Sequence, residues 1–378
     1  MTTSTLGTTA DALREALETG TPLTILDIRP GADRAEWWIP GSTHLDAYEA
    51  LKRGDLDALE GAELPTDRPV VVVCRAGVVA REGAIRLAQL GLDASYLIGG
   101  MKAWSQAWNQ AAVTIAGSDA TVIQVRRTGK GCLSYLVGSR GEAVVIDPSA
   151  DPTIYLDLAE ARGWSIRAVL DTHVHADHIS RGRDLARRTG AAMLMPALAP
   201  VHYGFQPLRE GDRFSVGAAT LTVMETPGHT PESVSYRLDE AALFTGDTLF
   251  LDGVGRPDLK AEGDGAEGRA RLLHRSLARI LKLPERTLIL PGHVGRPVAF
   301  DGQPVAATLG LVRRDVEALT RWFRDATDTA ADEFARWLLS RIPATPPNHH
   351  EIVRLNQDEA SVVDLEALEA GANRCSVS

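Results

Sequence analysis

Residues 172 to 178 read THVHADH, directly after the apolar run AVLDT, and no other seven positions constrain the chain as much. His173, His175, Asp177 and His178 supply neutral imidazole nitrogens and a hard carboxylate, the donor types that hold zinc or ferrous iron. On extended backbone, residues two apart face the same way, so His173 and His175 can enter one pocket while Asp177 and His178 open the next element. Three more segments place single donors in the same setting: His229 follows TLTVMETPG, Asp247 follows AALFTG and His293 follows TLILPG. Each lies where a β-rich apolar run ends in a glycine-containing turn, and ligand sites in layered α/β proteins gather at such strand ends. Five of the ten histidines fall in these segments, which scattered core or surface histidines would not do. The expectation is a metal centre built from four strand ends.

The rest of the pattern indicates two α/β domains. A chain of 378 residues, 44% hydrophobic, is long enough for two ordinary cores. Residues 8 to 19 read as a helix capped by Thr8 or Thr9, and LTILDI, PVVVVC and ASYLIG read as strands separated by helical patterns, a small doubly wound domain. A boundary is expected near AAVTIAGSDA at 111 to 120, where the helical run WSQAWNQ ends and the strand TVIQVRR begins. Hairpins TVIQVRR, CLSYLVG and AVVIDPS then precede alternating helices and strands, which suits two packed sheets with helices outside, and residues 308 to 342 read as two helices. From Pro343 onward an amphipathic stretch runs into NRC, a tail expected to dock on the second domain, with His349 and His350 solvated.

In the first domain, PVVVVCRAGVVAREG places Cys74 where a buried parallel strand gives way to a helix starting near Val78. A thiol there meets backbone N–H groups, the positive end of the helix dipole and Arg75, conditions that favour a thiolate nucleophile. Cys132 precedes LSYLV on a central strand and is read as core packing. A formal charge of −10 offers no basic face for nucleic acid, and no apolar run reaches the roughly 18 residues of a membrane span. Three separated cysteines suggest no disulfide framework, and the N-terminal region has no signal-peptide core, so a cytoplasmic protein is expected.

On these residues the second domain resembles the metallo-β-lactamase superfamily, whose HxHxDH signature His173 to His178 match, and the resemblance implies an αββα sandwich over residues 118 to 345. GCLSYLVG at 131 to 138, TPGHTPES at 226 to 233, FTGDTLF at 244 to 250 and GVGRPD at 253 to 258 are similar to the persulfide dioxygenases, the ethylmalonic encephalopathy protein group. That resemblance implies one ferrous iron on His173, His229 and Asp247, a two-histidine, one-carboxylate set that leaves coordination positions open to O2 and a thiol persulfide. His175, Asp177, His178 and His293 would then orient ligands and handle protons, and Arg256 would grip the carboxylate of a low-molecular-weight thiol or order the loop near the iron. The alternative is a two-zinc thioester hydrolase of the glyoxalase II type, in which Asp247 bridges two ions and the same four residues complete the second site. Val294 departs from the residues that usually follow PGH in that type.

Residues 14 to 110 resemble a single-domain rhodanese, a sulfurtransferase, through LDIRP at 26 to 30, WIPGS at 38 to 42, the Cys74 loop and LIGGMKAW at 97 to 104. The resemblance makes Cys74 a carrier of sulfane sulfur, with Arg75 and Gly77 on its substrate loop. Val79 stands where many active members carry a second arginine. The whole reads as a rhodanese-like domain over 1 to 115, a persulfide dioxygenase domain over 118 to 345 and a tail over 346 to 378. Its expected partners are a thiol persulfide and O2, with self-association open, as are the direction of sulfur flow and the role of Cys375. A third reading keeps both sites degenerate and makes the protein a sulfide-responsive binding module.

Overall fold

Strand Val70–Val73 is four consecutive valines, all buried, and explains why the first domain is a covered parallel sheet. Side chains alternate across a strand, so Val70 and Val72 join one apolar cluster with Leu26, Leu51 and Ala84, while Val71 and Val73 join the other with Leu13, Leu97 and Trp104. In the computed structural model, which describes residues 7–60, 62–259, 265–323, 330–346, 348–358, 364–371 and 373–378, this sheet has five strands. Their order is Gly7–Thr8, Ala94–Leu97, Val70–Val73, Thr24–Asp27 and Thr43–His44, all parallel. Helix Ala10–Glu18 is capped by Thr9, whose hydroxyl accepts the Ala12 N–H at 3.2 Å. Helix Val78–Gln89 follows Gly77, which sits at φ 84°, where an added Cβ would lie 2.9 Å from both the Leu97 carbonyl and the Gly99 nitrogen. Only glycine fits that turn.

The second domain is two sheets face to face. One runs in the order Gln206–Leu208, Ala192–Pro196, Ser165–Leu170, Glu142–Ile146, Cys132–Ser139, Thr121–Arg127, Asn109–Val113, and the other Arg213–Val216, Ala219–Glu225, Val234–Leu238, Ala242–Gly246, Leu288–Pro291, Ala307–Thr308. Strand Cys132–Ser139 is buried along its whole length because both faces are covered. Leu133, Tyr135 and Val137 meet Leu221, Tyr236 and Phe244 between the sheets, and Leu136 meets the helix layer with Tyr155 and Leu185. Helices Gly265–Ile280, Leu309–Asp315 and Ala330–Leu339 cover the outer face of the second sheet through Leu273, Leu277, Val312 and Phe334. The architecture is thus the α/β domain followed by two packed sheets with helices outside, as the segment order suggested, in the αββα arrangement that the family resemblance implied.

Three boundaries differ from the expectation. Asn109–Val113 pairs antiparallel with Thr121–Arg127, so the second domain's sheet already begins at Asn109 and the helical run stops at Trp104. The apolar positions Ala111 and Val113 belong to that edge strand, and Ile115 follows just beyond its end. Residues 308 to 342 hold three helices among those described, the break falling at Val316, whose extended backbone separates Leu309–Asp315 from Glu317–Trp322. His349 is buried and its Nδ1 lies 2.7 Å from the Pro346 carbonyl, so only His350 of that pair is exposed.

The tail also touches both domains, not the second alone. Glu369, 0% exposed, receives Arg127 at 3.0 Å, Arg181 at 3.1 Å, the Ile179 N–H at 2.7 Å and Gln106 of the first domain at 3.1 Å. Lys102 of the first domain pairs with Asp364 at 3.1 Å, and Arg374 pairs with Glu36 at 2.7 Å. At its end, Ser376–Val377 pairs with Val254–Gly255. Burial pushes the Glu369 carboxyl up, but the two guanidinium groups outweigh it and hold the group down at about 2. Removing it strands two buried arginines, so Glu369→Ala is expected to cost about 3–5 kcal/mol in denaturant unfolding. Because the folded value is depressed, this contribution is complete above the unfolded value of 4.5 and is lost as pH falls through about 2. The stability gap between wild type and Glu369→Gln should therefore be unchanged from about pH 7 to 5 and shrink below about pH 4.

Candidate metal centre and sulfur-transfer loop

Four chain segments meet at one end of the sandwich. Strand Ser165–Leu170 delivers the 172 to 178 loop, Ala219–Glu225 leads to His229, Ala242–Gly246 to Asp247 and Leu288–Pro291 to His293. Gly246 sits at φ 49° with a Cβ position 2.5 Å from the Thr172 hydroxyl, so glycine is required for the two loops to close on each other. His173, His175, Asp177, His178, His229, Asp247 and His293 are all buried. The structure brings every sequence-predicted donor into one place, but it divides them into distinct sets.

His173, His229 and Asp247 form the first set. Asp247 Oδ2 lies 3.6 Å from His229 Nε2 and 3.9 Å from His173 Nε2, and this buried oxygen has no hydrogen-bond partner among the described residues. Both imidazoles are oriented from behind. The Thr172 hydroxyl donates to Asp147 at 2.9 Å, so its oxygen accepts from His173 Nδ1, also 2.9 Å away. His229 Nδ1 donates to the Arg256 carbonyl at 2.8 Å. Each lone pair therefore sits on the Nε2 that faces Asp247. Three donors with these spacings can be spanned by one ion at the usual bond length of about 2.1 Å. The residues fit a single metal ion of the kind that accepts imidazole and carboxylate, iron or zinc.

His175 is excluded from that set. Its Nε2 lies 3.2 Å from Asp147 and 3.9 Å from Asp171. Asp147 adopts φ 50°, a conformation that aspartate tolerates better than most residues, and it also accepts the Thr172 N–H at 2.7 Å. Burial raises the Asp171 carboxyl to about 6, a further sign of a dry enclosure.

Asp177, His178 and His293 form a second set with Cys132. His293 bridges two carboxylates, its Nδ1 2.6 Å from Asp247 Oδ1 and its Nε2 2.7 Å from Asp177 Oδ2. A ring with both nitrogens on carboxylates is an imidazolium. Burial opposes that charge, but Asp177 and Asp247 outweigh it and lift His293 well above the ordinary histidine range, while His293 and His178 press Asp177 well below its own. His178 Nδ1 lies 3.1 Å from Asp177. The expectation that Cys132 is mere core packing is overturned. It heads its strand beside the PGH turn, bridging to His293 through backbone, and its thiol sits 3.4 Å from Asp177. Burial and Asp177 push that thiol up, yet His178 and His293 bring it down to about 7.

Arg256 does not face a substrate. Its side chain is 0% exposed, its Nε and Nη2 donate to Asp258 at 2.8 and 2.7 Å, and its Nη1 meets the Ala344 and Arg374 carbonyls at 3.4 and 3.2 Å. The guanidinium is held by tail carbonyls and Asp258 and is not free to grip a thiol's carboxylate, while the Arg256 carbonyl at His229 fits the other expectation, that this residue orders the loop near the metal site. The tail is part of the site in other ways. Asn373 donates to Asp177 at 2.9 Å, Cys375 lies with Asp247 and His293, and Asn356 donates to the His175 and His178 carbonyls at 2.9 and 2.8 Å. Cys375 was singled out from sequence with its role open, but neither asparagine was read, because asparagines in a helical or irregular tail carry no motif. Asp147 in the run VVIDPS was missed for the same reason.

In the first domain Cys74 is buried at the end of Val70–Val73, and its sulfur accepts the Gly77 and Ala80 N–H groups at 3.2 and 3.4 Å. That is the amide cradle expected of the loop. Arg75 is exposed and pairs with Asp33. Val79 is turned into the core with Cys74 and Leu87.

Comparison with known proteins agrees with this division. Residues 9–107 match the rhodanese-like domain, and residues 127–293 match the metallo-beta-lactamase superfamily. A hydroxyacylglutathione hydrolase from Methylococcus capsulatus is 35% identical over 189 residues, which cover 48% of this chain and 70% of the relative. The chain belongs to the metallo-β-lactamase superfamily. Its match to a Methylobacillus flagellatus hydroxyacylglutathione hydrolase, also 35% identical, spans 42% of this chain and 60% of the relative's length. Among solved structures, ETHE1 from Myxococcus xanthus is 28% identical with a TM-score of 0.53, covering 62% of this chain and 96% of that one.

Metal analysis tests the division of donors. His229→Ala is expected to lower metal affinity by more than about 100-fold, whereas His175→Ala, if it removes an orienting neighbour, should cost about 10–100-fold. Equal losses would return His175 to the ligand set.

Proposed function

We propose that the protein couples sulfane-sulfur transfer at Cys74 to iron-dependent oxidation of a low-molecular-weight thiol persulfide. One persulfide, one O2 and one water give one thiol and one sulfite, with release of protons. The observation that carries this reading is the three-donor set of His173, His229 and Asp247, with His175 grouped instead with Asp147 and Asp171 and with His293 already paired to both neighbouring carboxylates. Ferrous iron held by those three residues would supply the redox chemistry that O2 needs to react with a persulfide sulfur. The chain's own contribution is orientation and proton storage. Thr172 and the Arg256 carbonyl keep the two imidazoles aimed, burial excludes bulk water, and the His293 imidazolium between Asp177 and Asp247 holds a proton next to the place where sulfite and thiolate emerge.

At the other centre the amide cradle of Gly77 and Ala80 stabilises negative charge on the Cys74 sulfur. In the transfer step a small-thiol thiolate attacks the outer sulfur of the Cys74 persulfide. A bond forms between the thiolate sulfur and the outer sulfur, the bond from the outer sulfur to Sγ breaks, and its electron pair stays on Cys74 as thiolate. The reverse step loads the cysteine. Arg75, exposed beside this loop, suits an anionic donor or acceptor.

The likeness to ETHE1, of the group that the sequence resembles, supports the dioxygenase reading. The second reading, a two-zinc thioester hydrolase with an accessory rhodanese-like domain, draws equal support from the hydroxyacylglutathione hydrolases and from the presence of Asp177, His178 and His293 beside Asp247. It would require His293 to surrender a proton held by two carboxylates, and it could use His175 through Nδ1, the ring nitrogen that Asp147 does not hold.

Oxygen consumption and sulfite release with glutathione persulfide, run beside hydrolysis of a glutathione thioester on metal-analysed protein, separate the two. We expect oxygen uptake with iron bound and no thioester turnover; two zinc ions per chain with hydrolysis and no oxygen uptake would overturn the proposal. Cys74→Ser should lose sulfur transfer by at least about 100-fold while leaving oxygen uptake from supplied persulfide within about twofold. Parallel loss of both would contradict separate centres.

A further inference from the structure

The seam between the domains holds two cavities that share a wall. The larger, 480 Å³, is lined from the first domain by Asp33, Arg75, Ala76 and Lys102 and from the tail by Ala367, which puts it directly against the Cys74 loop. The smaller, 110 Å³, is lined by Asp177, Lys130 and Arg374, against the metal centre. Glu36, Ala370 and Gly371 line both, so a few residues of one tail segment and the Glu36–Arg374 pair, 2.7 Å apart, are all that separates them. The larger volume lies in the range of small-molecule sites, about 300–1,000 Å³. The smaller holds only a few heavy atoms.

Lys130 gives this seam a chemical preference. The residue is 4% exposed, yet its ammonium has no carboxylate partner among the described residues, and its hydrogen bond is to the Gly371 carbonyl at 3.4 Å. A nearly buried cation without a counter-ion is costly unless an anion joins it. Arg374 stands on the same cavity, and Arg75 and Lys102 on the other, with Asp33 and Glu36 interspersed. The distribution suits a small zwitterionic thiol with more than one carboxylate.

Resting on the sulfur chemistry proposed above, we infer that the seam is a single binding site for an anionic low-molecular-weight thiol, with Lys130 as its counter-charge, and that this one site serves both reactive centres. The body of the thiol occupies the larger cavity, where its sulfur meets Cys74. The persulfide end then turns through the smaller cavity toward Asp177 and the metal, and the thiol does not leave between the two steps.

The test uses S-methylglutathione, which cannot react at either centre. Titration calorimetry on the metal-loaded full chain should give one site per chain. The same inhibition constant should appear for glutathione-dependent sulfur transfer and for oxygen uptake from glutathione persulfide. Lys130→Met, close in volume, should weaken binding about tenfold or more, and Lys130→Arg should restore it to within about threefold. Ala367→Trp, which fills the larger cavity from an exposed position, should weaken S-methylglutathione binding and impair both thiol-dependent reactions in parallel. Two sites per chain, two different inhibition constants, or unchanged binding in Lys130→Met would each overturn the inference. Absence of oxygen uptake in the wild type would sink the dioxygenase reading instead, with the calorimetry and the Cys74 reaction still deciding the seam.

Discussion

Asp247 has two oxygens, and the site depends on their facing different ways. Oδ2 turns to the Nε2 atoms of His173 and His229, and Oδ1 turns to the His293 imidazolium. A carboxylate fixed on one oxygen by a charge-assisted hydrogen bond presents the other in a defined direction, so the three-donor set is held in shape by a residue outside it. The histidines are fixed by the same logic. Asp147 orders Thr172, Thr172 orders His173, and the Arg256 carbonyl orders His229. Arg256 thereby joins the last residues of the chain to a metal-binding imidazole, because its guanidinium and its own N–H are tied to the Arg374 and Cys375 carbonyls.

The acid–base cluster beside it follows from the cost of burying charge. Asp177 and Asp247 are both buried, where two uncompensated carboxylates would repel each other and suffer desolvation. The His293 proton between them and the His178 ring beside Asp177 offset both costs. Cys132 adds a thiol to the group, and Cys375 approaches from the tail. The two thiols are held differently. Cys132 is eased toward ionisation by His178 and His293, whereas burial lifts Cys375 well above the ordinary thiol range, so at neutral pH it stays protonated. Two cysteines at one centre thus present unlike sulfur chemistry to whatever enters.

Much of this was legible from the chain alone, because strand alternation and strand-end donors are local signals. The valine run, the HxHxDH loop and the three later Gly-His and Gly-Asp turns each announce their own position. What could not be read was long-range pairing by residues without a motif. Asn356, Asn373 and Glu369 act on the site from more than 170 residues away in sequence, and each looks like an ordinary polar residue of a tail. Arg256 was legible as a carboxylate grip or as an orderer of the loop near the metal site, but a motif marks a guanidinium without saying which carbonyls will hold it. Cys132 was correctly placed on a strand, but only the register against His293 puts it at the end of that strand where the donors meet.

The seam also changes what fusion of the domains accomplishes. A flexible tether would raise the local concentration of a released intermediate by an amount set by linker length. Here strand Asn109–Val113 starts within five residues of helix Gly100–Trp104, so the linker is too short for the domains to move as separate bodies on a leash. Trp37 donates to the Thr128 carbonyl at 3.1 Å, Arg127 donates to the Ser105 carbonyl at 2.7 Å, and Glu369 clamps Arg127, Arg181 and Gln106 together. Breaking one partner of such a buried network costs far more than the exposed ion pairs of the surface. The distance from the Cys74 loop to the metal-binding loops is consequently a property of packed structure. A persulfide passing between them would meet walls of fixed position, and the tail that forms those walls is pinned by the same Arg256 that orients His229.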